Sequence, residues 1–487
     1  MNIMEKHYSI LHISDLHKPE NCNLDNLFYS IQTDCATYTA IGISKPEIIV
    51  VSGDLVEGSK KEDGAAIIRK QYEEAGKFLD KLANYFLDGD RSRMIIVPGN
   101  HDYCYKVSKD SMELSPEDKL KEDYKLMKEA APHVRWSWDN RRCYHITNKK
   151  RYATRFDLFK EFYNNFFAGI RELPKDVDEE SEIKDSHIKD SYIVELPLYH
   201  IAFVCFNSCY RLDHLNPMGC ICPDAISKAH DRLVTLKNMG YLLVGVWHHH
   251  VSGLPVENNY MDYRILNAMM QEDIKMGLFG HQHVSTAVQE YSDITTKQSI
   301  LLISSGSLYG NRYQLVTGVP RQYNVIEMNF RNEEVKLKLN VRKDNSQYGY
   351  DIPQWILSPI GMKSLPYYEH TLNVEKPKIE YLVADLDKTV RERGDYGEAC
   401  LRLMEFGLDN ELALKYFDSF ISKVDNPKLL KELLRNPVTI SQYMTALDAA
   451  VSLKDIDWIK GLMQNEQFVN EKSPYLSELK EQANKMI

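Results

Sequence analysis

Short apolar runs alternating with helical patterns organise the first two-thirds of the chain. Tyr8-Ser-Ile-Leu-His-Ile-Ser14, Glu47-Ile-Ile-Val-Val51 and Met94-Ile-Ile-Val97 are bounded by Gly, Pro and Asp, as strands buried on both faces are. Between the last two, Tyr72, Ala75, Phe78, Leu79, Leu82 and Phe86 recur at helical spacing within Arg69 to Leu87. Further strands are expected at His200 to Phe206, Tyr241 to Val246, Met276 to Phe279 and Ser299 to Ser304. Tyr323 to Phe330 and Val335 to Val341 read as an alternating hairpin. The pattern changes near Gln347. Pro353, Pro359, Pro366 and Pro377 space out a stretch that reads as a connector. From Asp385 onward short amphipathic helices are expected over Tyr396 to Phe406, Glu411 to Val424, Pro427 to Leu434, Thr439 to Leu453 and Ile456 to Met463. Such helical modules bind partners more often than they catalyse.

Composition narrows this picture modestly. At 487 residues the chain exceeds what one hydrophobic core supports, and its 43% hydrophobic and 27% charged residues are those of an ordinary soluble protein. No uninterrupted run of about 18 apolar residues and no signal-peptide pattern is present, so a cytoplasmic protein with no membrane association is expected. Nine cysteines without regular spacing, Cys220 and Cys222 included, read as reduced thiols and not as a zinc ribbon. A net charge of −10 excludes a surface coated with positive charge, although a local basic patch remains open.

The candidate chemistry lies at the strand ends. Five of the first six expected strands run into metal-type side chains: Asp15-Leu-His17, Gly53-Asp54, Gly99-Asn-His-Asp102, His248-His-His250 and Gly280-His-Gln-His283. In α/β sheets ligands collect beyond the carboxyl ends of the strands, so these tips should converge. Residues i and i+2 on extended backbone point to one side, so Asp15 with His17, or His281 with His283, can serve one site; His12 has the parity of Ser14 and turns away. Carboxylates, imidazoles and one amide oxygen suit borderline divalent ions such as Mn, Fe, Zn, Co or Ni, with too much nitrogen for a calcium or magnesium cage.

This ordered series resembles the calcineurin-like metallophosphoesterase superfamily over roughly residues 5 to 343. The resemblance implies an α/β fold, a four-layer αββα sandwich, and with the pattern above it divides the chain into a phosphoesterase domain at 1–345, a connector at 346–384 and an α-helical C-terminal domain at 385–487. It also implies two divalent transition metals, manganese foremost. Asp15, His17 and His283 would hold one, Asn100, His281 and one histidine of the triplet the other, and Asp54 would bridge them. Similar enzymes place the fourth-motif histidine two residues before a proline. Val251 stands in that place here, which favours His249, with His248 as the alternative; a flanking imidazole such as His250 would then meet substrate or cap the loop. Two metals about 3.5–4 Å apart deprotonate a bridging water, which makes hydroxide the nucleophile. His101 would contact the phosphate and protonate the leaving oxygen. Asp102 either orients a neighbouring imidazole or is a solvated turn carboxylate.

Specificity is expected in the loops, the longest being an insertion over about 103–196. Within it Arg135, Arg141, Arg142, Lys149, Lys150, Arg151 and Arg155 alternate with Trp136, Trp138, Tyr144, Tyr152 and Phe156. Guanidinium groups grip phosphates and aromatic faces stack on bases, so Arg135, Trp136, Arg141 and Arg142 are candidate substrate contacts. The plainer reading is a solvated face whose aromatics complete a core. Lys175 to Asp190 reads as an exposed loop. A phosphodiester in a nucleic acid or nucleotide is therefore the expected substrate. The rivals are a phosphomonoesterase, such as a protein phosphatase, and a scaffold whose helical part recruits a protein partner.

Overall fold

The structure is a computed structural model that describes residues 6–19, 23–129, 131–173, 189–252, 259–291, 298–310, 314–331, 333–346, 352–359 and 366–487. Most of the loop expected over Lys175 to Asp190 lies outside the described residues. The chain divides into two compact units, Met1–Lys237 with Tyr241–Val374, and Asn238–Gly240 with Glu375–Ile487.

The strands of the first unit are, in order, β1 (Lys6–Ile13), β2 (Ile48–Val51), β3 (Met94–Ile96), β4 (Met112–Leu114), β5 (Val134–Ser137) and β6 (Arg142–Ile146). They continue with β7 (Ser191–Leu196), β8 (Ile201–Phe206), β9 (Leu242–Val246), β10 (Met276–Phe279), β11 (Thr286–Tyr291) and β12 (Ser299–Ser304). The last are β13 (Gln322–Arg331), β14 (Glu334–Asp344), β15 (Trp355–Leu357) and β16 (Tyr368–Asn373). One sheet has the order β15-β14-β13-β1-β2-β3, with β16 also on β14. A second runs β11-β12-β10-β9-β8-β7, and a small third, β4-β6-β5, lies within the insertion. β1, β2 and β3 are mutually parallel, as are β8, β9, β10 and β12, so the candidate tips of each sheet emerge at one end.

Alternation along these strands builds the layers. Ile10, Val50 and Ile95 of the first sheet share a buried cluster with Phe203, Val244, Leu278 and Ile303 of the second, so the two sheets pack face to face. The opposite parity, Leu11, Ile49 and Val51, joins Leu27, Ile31, Phe78, Leu82 and Phe159 from helices Asp25–Cys35, Gly64–Leu87 and Asp157–Phe166. On the far face of the second sheet Trp247 stacks on Phe279 with ring centroids 5.5 Å apart. Gly245 and Gly277 admit the indole, since a Cβ at either position would collide with it. Helix Ile265–Gln271 packs against β12 there. Two facing sheets flanked by helices thus form the N-terminal part, as the resemblance implies, and helices the C-terminal part.

Three boundaries differ from the sequence reading. The stretch expected as a connector supplies β15 and β16, which pair with β14; the prolines that interrupted its pattern lie outside these two strands. β7 belongs to the second sheet, so the insertion ends before it. The helical unit begins at Ile379 and has its own apolar cluster, with Leu386, Ala399, Cys400, Leu403, Ala413, Leu447 and Ile459 fully buried. Asp395, Asn410, Asn426, Thr439, Asp455, Asn465 and Ser473 each cap a helix there through the side chain, worth about 1 kcal/mol apiece. Among the described residues no helix is long and apolar enough to cross a membrane.

A chain ending after Val374 is expected to be soluble and to melt cooperatively. One ending near Asn345 should aggregate, because it strips β15 and β16 from β14 and exposes a long strand edge. Soluble yield and thermal melts followed by circular dichroism check both.

Candidate metal centre

The site forms where the parallel strands of the two facing sheets end. Asp15 and His17 follow β1, and their backbone N–H groups donate to Gly53 O at 3.2 Å and Asp54 O at 3.0 Å. The strand pleat does not continue here as the i, i+2 argument assumed. Asp15, His17, Asp54, His281 and His283 all have positive φ, between 43° and 74°, a region costing a non-glycine residue roughly 1–2 kcal/mol. Strain concentrated in this way is typical of sites where the surrounding fold dictates geometry. The adjacent glycines have a steric reason. A Cβ at Gly280 would strike Ser14 and the Asp15 carboxylate, and one at Gly99 the Asp54 carboxylate.

The donors gather in two lobes about Asp54. In the first, Asp15 Oδ1 lies 3.1 Å from His283 Nε2 and 3.5 Å from His17 Nε2, and those two imidazole nitrogens are 3.1 Å apart. In the second, Asn100 Oδ1 lies 2.9 Å from His248 Nε2 and 2.8 Å from His281 Nδ1. Asp54 Oδ2 stands between them, 3.8 Å from His17 Nε2 and 3.2 Å from His248 Nε2. Asp15, His17 and Asp54 are almost wholly buried. Three donor groups are each compact enough to hold an ion: Asp15 with His17 and His283, His17 with Asp54 and His101, and Asp15 with Asp54 and His248.

Electrostatics keep these groups ready to ligate. Burial pushes the Asp15 and Asp54 carboxyls up, but neighbouring imidazoles, His283 and His17 for Asp15 and His248 and His101 for Asp54, hold both well below the usual range. Burial and the charge of His248 push His281 down to about 3. Against the same burial, Asp54 raises His248 to about 9 and Asp15 raises His283; these are protons that a bound dication displaces. Outer contacts fix the rings, with His248 Nδ1 on Ser52 O at 2.8 Å and His283 Nδ1 on Gln314 O at 2.5 Å. A metal pair fits this cluster on two counts: Asp15 Oδ1 is buried without a hydrogen bond, and two imidazole nitrogens face each other at contact distance.

A family model for calcineurin-like phosphoesterases matches residues 8–285. The chain belongs to this family. Structures of Chaetomium thermophilum Vps29, alone and complexed with the RaPID-derived cyclic peptide RT-D3, are 9% and 8% identical to it. They cover 76% of this chain and 100% and 99% of their own, with TM-scores of 0.27 and 0.23, values at which the likeness carries no argument. No curated protein matches the chain.

Two sequence expectations shift within this calcineurin-like site, at the histidine triplet and at Asp102. The triplet imidazole that reaches Asp54 and Asn100 belongs to His248 and not to His249. The parallel ladder runs on past β9, with Trp247 N–H donating to Leu278 O and Gly280 N–H to His248 O, so His248 keeps the parity of Val244 and Val246, which face the first sheet. His249 turns to Ser208 Oγ, 2.9 Å from its Nδ1, with its ring 4.8 Å from that of His281. His250 Nδ1 accepts from Ser252 N–H at 2.8 Å, and its ring lies edge-on to Phe279. Asp102 is not solvated, and among the described residues it hydrogen-bonds to no imidazole: fully buried, it accepts from the N–H groups of Gly99 at 2.7 Å and Asp54 at 3.0 Å and from Tyr72 Oη at 2.9 Å. Burial and the charge of Asp54 push its carboxyl up to about 7. It anchors the two metal-motif turns to each other.

In the insertion Arg135 is buried in an ion pair with Asp213 at 2.5 Å, which removes it from phosphate binding. Arg142 is held by Ser115 O at 2.5 Å and Glu117 at 3.3 Å. Arg155, Tyr152 and Phe156 are buried, so the core-completing reading describes much of this segment. Trp136 is half-buried against the exposed Trp138, and Arg141 is exposed at a positive-φ turn; the structure gathers neither with the metal cluster. His12 is buried on Ser52 Oγ at 3.0 Å and belongs to none of the three donor groups. The sequence reading missed Ser208, whose Oγ accepts from the N–H groups of both His248 and His249 at 3.1 and 3.2 Å. It follows β8, the one strand among those six whose end carries no metal-type side chain.

Manganese loading followed by elemental analysis separates the two histidines. His248→Ala should lose about one ion per chain while His249→Ala keeps both; the reverse order would restore His249 as the fourth-motif donor.

Proposed function

We propose that this chain hydrolyses a phosphoester with two divalent transition metals, manganese foremost, and that the ester is a diester of the nucleotide class. The observation that carries the reaction class is the pair of donor lobes sharing Asp54. Asp15, His17 and His283 would hold one ion, Asn100, His248 and His281 the other, and Asp54 both. Ions so placed supply charge neutralisation at the phosphoryl oxygens and lower the pKa of water.

The protein's own groups divide the remaining work. Asp54 Oδ1 accepts the His101 N–H at 2.8 Å, fixing the turn from which His101 projects. His101 Nδ1 lies 2.9 Å from Glu57 O; a carbonyl only accepts, so Nδ1 carries a proton, and the leaving oxygen would be protonated from Nε2 when that nitrogen carries a second one. The ring stands edge-on to His17, centroids 4.7 Å apart, which sets it beside the first lobe.

The preference for a diester rests on charge. Among the described residues no lysine or arginine lies within hydrogen-bond distance of Asp15, His17, Asp54, Asn100, His101, His248, His281 or His283. A monoester dianion gains more from a fixed guanidinium than a diester monoanion does, so the site favours the monoanion.

With manganese, kcat/KM on bis(p-nitrophenyl) phosphate should exceed that on p-nitrophenyl phosphate; the opposite ratio makes the enzyme a phosphomonoesterase. His101→Ala should keep its metals and lose about 10²–10⁴-fold in kcat. Two bound metals with turnover of neither ester would leave a partner-recruiting scaffold as the function.

A further inference from the structure

Three loops leave the metal centre and meet a second time. One passes from Glu57, whose carbonyl holds His101, to Lys60. Another passes from His101 to Tyr105. The third starts at Ser208, which holds the backbone of His248 and His249, and reaches His214. At the second meeting Lys60 Nζ lies over the Tyr105 ring, 5.8 Å from its centroid, and His214 meets the same ring edge-on at 5.4 Å. Tyr105 and His214 are half-buried and Lys60 is exposed. Lys60 forms no ion pair among the described residues.

This second cluster is held rigidly from behind. Asp213, next to His214, is fully shielded and pairs with Arg135 at 2.5 Å and Tyr152 Oη at 2.8 Å. Leu212 O accepts from Arg155 Nε at 2.8 Å. Ser108 Oγ accepts the His214 backbone N–H at 3.3 Å and lies 2.8 Å from its Nδ1. Either atom of the Ser108 Oγ–His214 Nδ1 pair can donate, and the contact ties up Nδ1, so Nε2 is the His214 nitrogen left for a ligand. The insertion's buried arginines thus hold a loop of the site mouth.

We infer that Tyr105, His214 and Lys60 form a subsite for the base of a nucleotide substrate. A tyrosine face stacks on any base, His214 Nε2 meets a donor or acceptor on the base edge, and the Lys60 ammonium meets a sugar or phosphate oxygen. Four residues span at most about 14 Å, so Tyr105 lies close enough to His101 for one nucleoside to bridge them. The subsite rests on the phosphoester reading, which it deepens by naming the residues that take the base.

The test compares adenosine 5′-monophosphate with ribose 5-phosphate, which lacks the base, by calorimetry on the manganese-loaded full chain. Wild type should bind the nucleotide about tenfold more tightly, ~1.4 kcal/mol. Tyr105→Phe should keep that ratio, His214→Ala should reduce it, and Tyr105→Ala should bring it to about one. Equal affinities in wild type, a ratio that survives Tyr105→Ala, or failure of both ligands to bind overturns the subsite. The expected ratios without hydrolysis of any ester leave the subsite standing and the hydrolytic reading refuted. Diester hydrolysis with a ratio of one does the reverse.

Discussion

The first unit is organised around one buried carboxylate. Asp54 is 1% exposed, yet surrounding imidazoles hold its proton off against the full effect of burial. An ionised acid in such a place is costly unless opposite charge meets it. Histidines meet part of that need, and their raised protonation at His248 and His283 marks positions that a dication would take over. The strained turns around it follow from the same demand. Donors from strands in two sheets can converge only if the backbone leaves the pleat abruptly, and five of them do so through left-handed residues.

Much of this was legible in the chain because strand ends in parallel sheets share a side. Apolar runs announced β1, β2, β3, β8, β9, β10 and β12, and the residues after them announced the donors. Parity was not legible at β9. Leu242 to Trp247 is apolar on both faces, since one face meets the other sheet and the other meets helices, so nothing in the run distinguishes which of His248 and His249 looks inward. The borrowed proline position pointed to His249, whereas the imidazole that reaches Asp54 and Asn100 is that of His248. Asp102 was misjudged for a related reason: a carboxylate after a turn looks solvated until its backbone partners, Gly99 and Asp54, are brought to it by tertiary structure.

The insertion shows what composition leaves open. Its arginines and aromatics fitted either a nucleic-acid surface or a face whose aromatics complete a core, and Arg135 and Arg155 face inward and hold the Leu212–Asp213 turn. Their contribution is rigidity of the site mouth, and recognition passes to Tyr105 and His214 on the loops they support. β15 and β16 carry a similar lesson, since proline-spaced sequence was read as a connector although short antiparallel strands fit between the prolines.

Everything rests on Asp54 serving two ions at once, and metal stoichiometry measures that directly. After manganese loading and desalting, elemental analysis should find about two ions per chain in the wild type and fewer than one in Asp54→Asn, because the amide cannot neutralise two dications. Two ions retained by Asp54→Asn would contradict a bridging carboxylate and separate the two lobes.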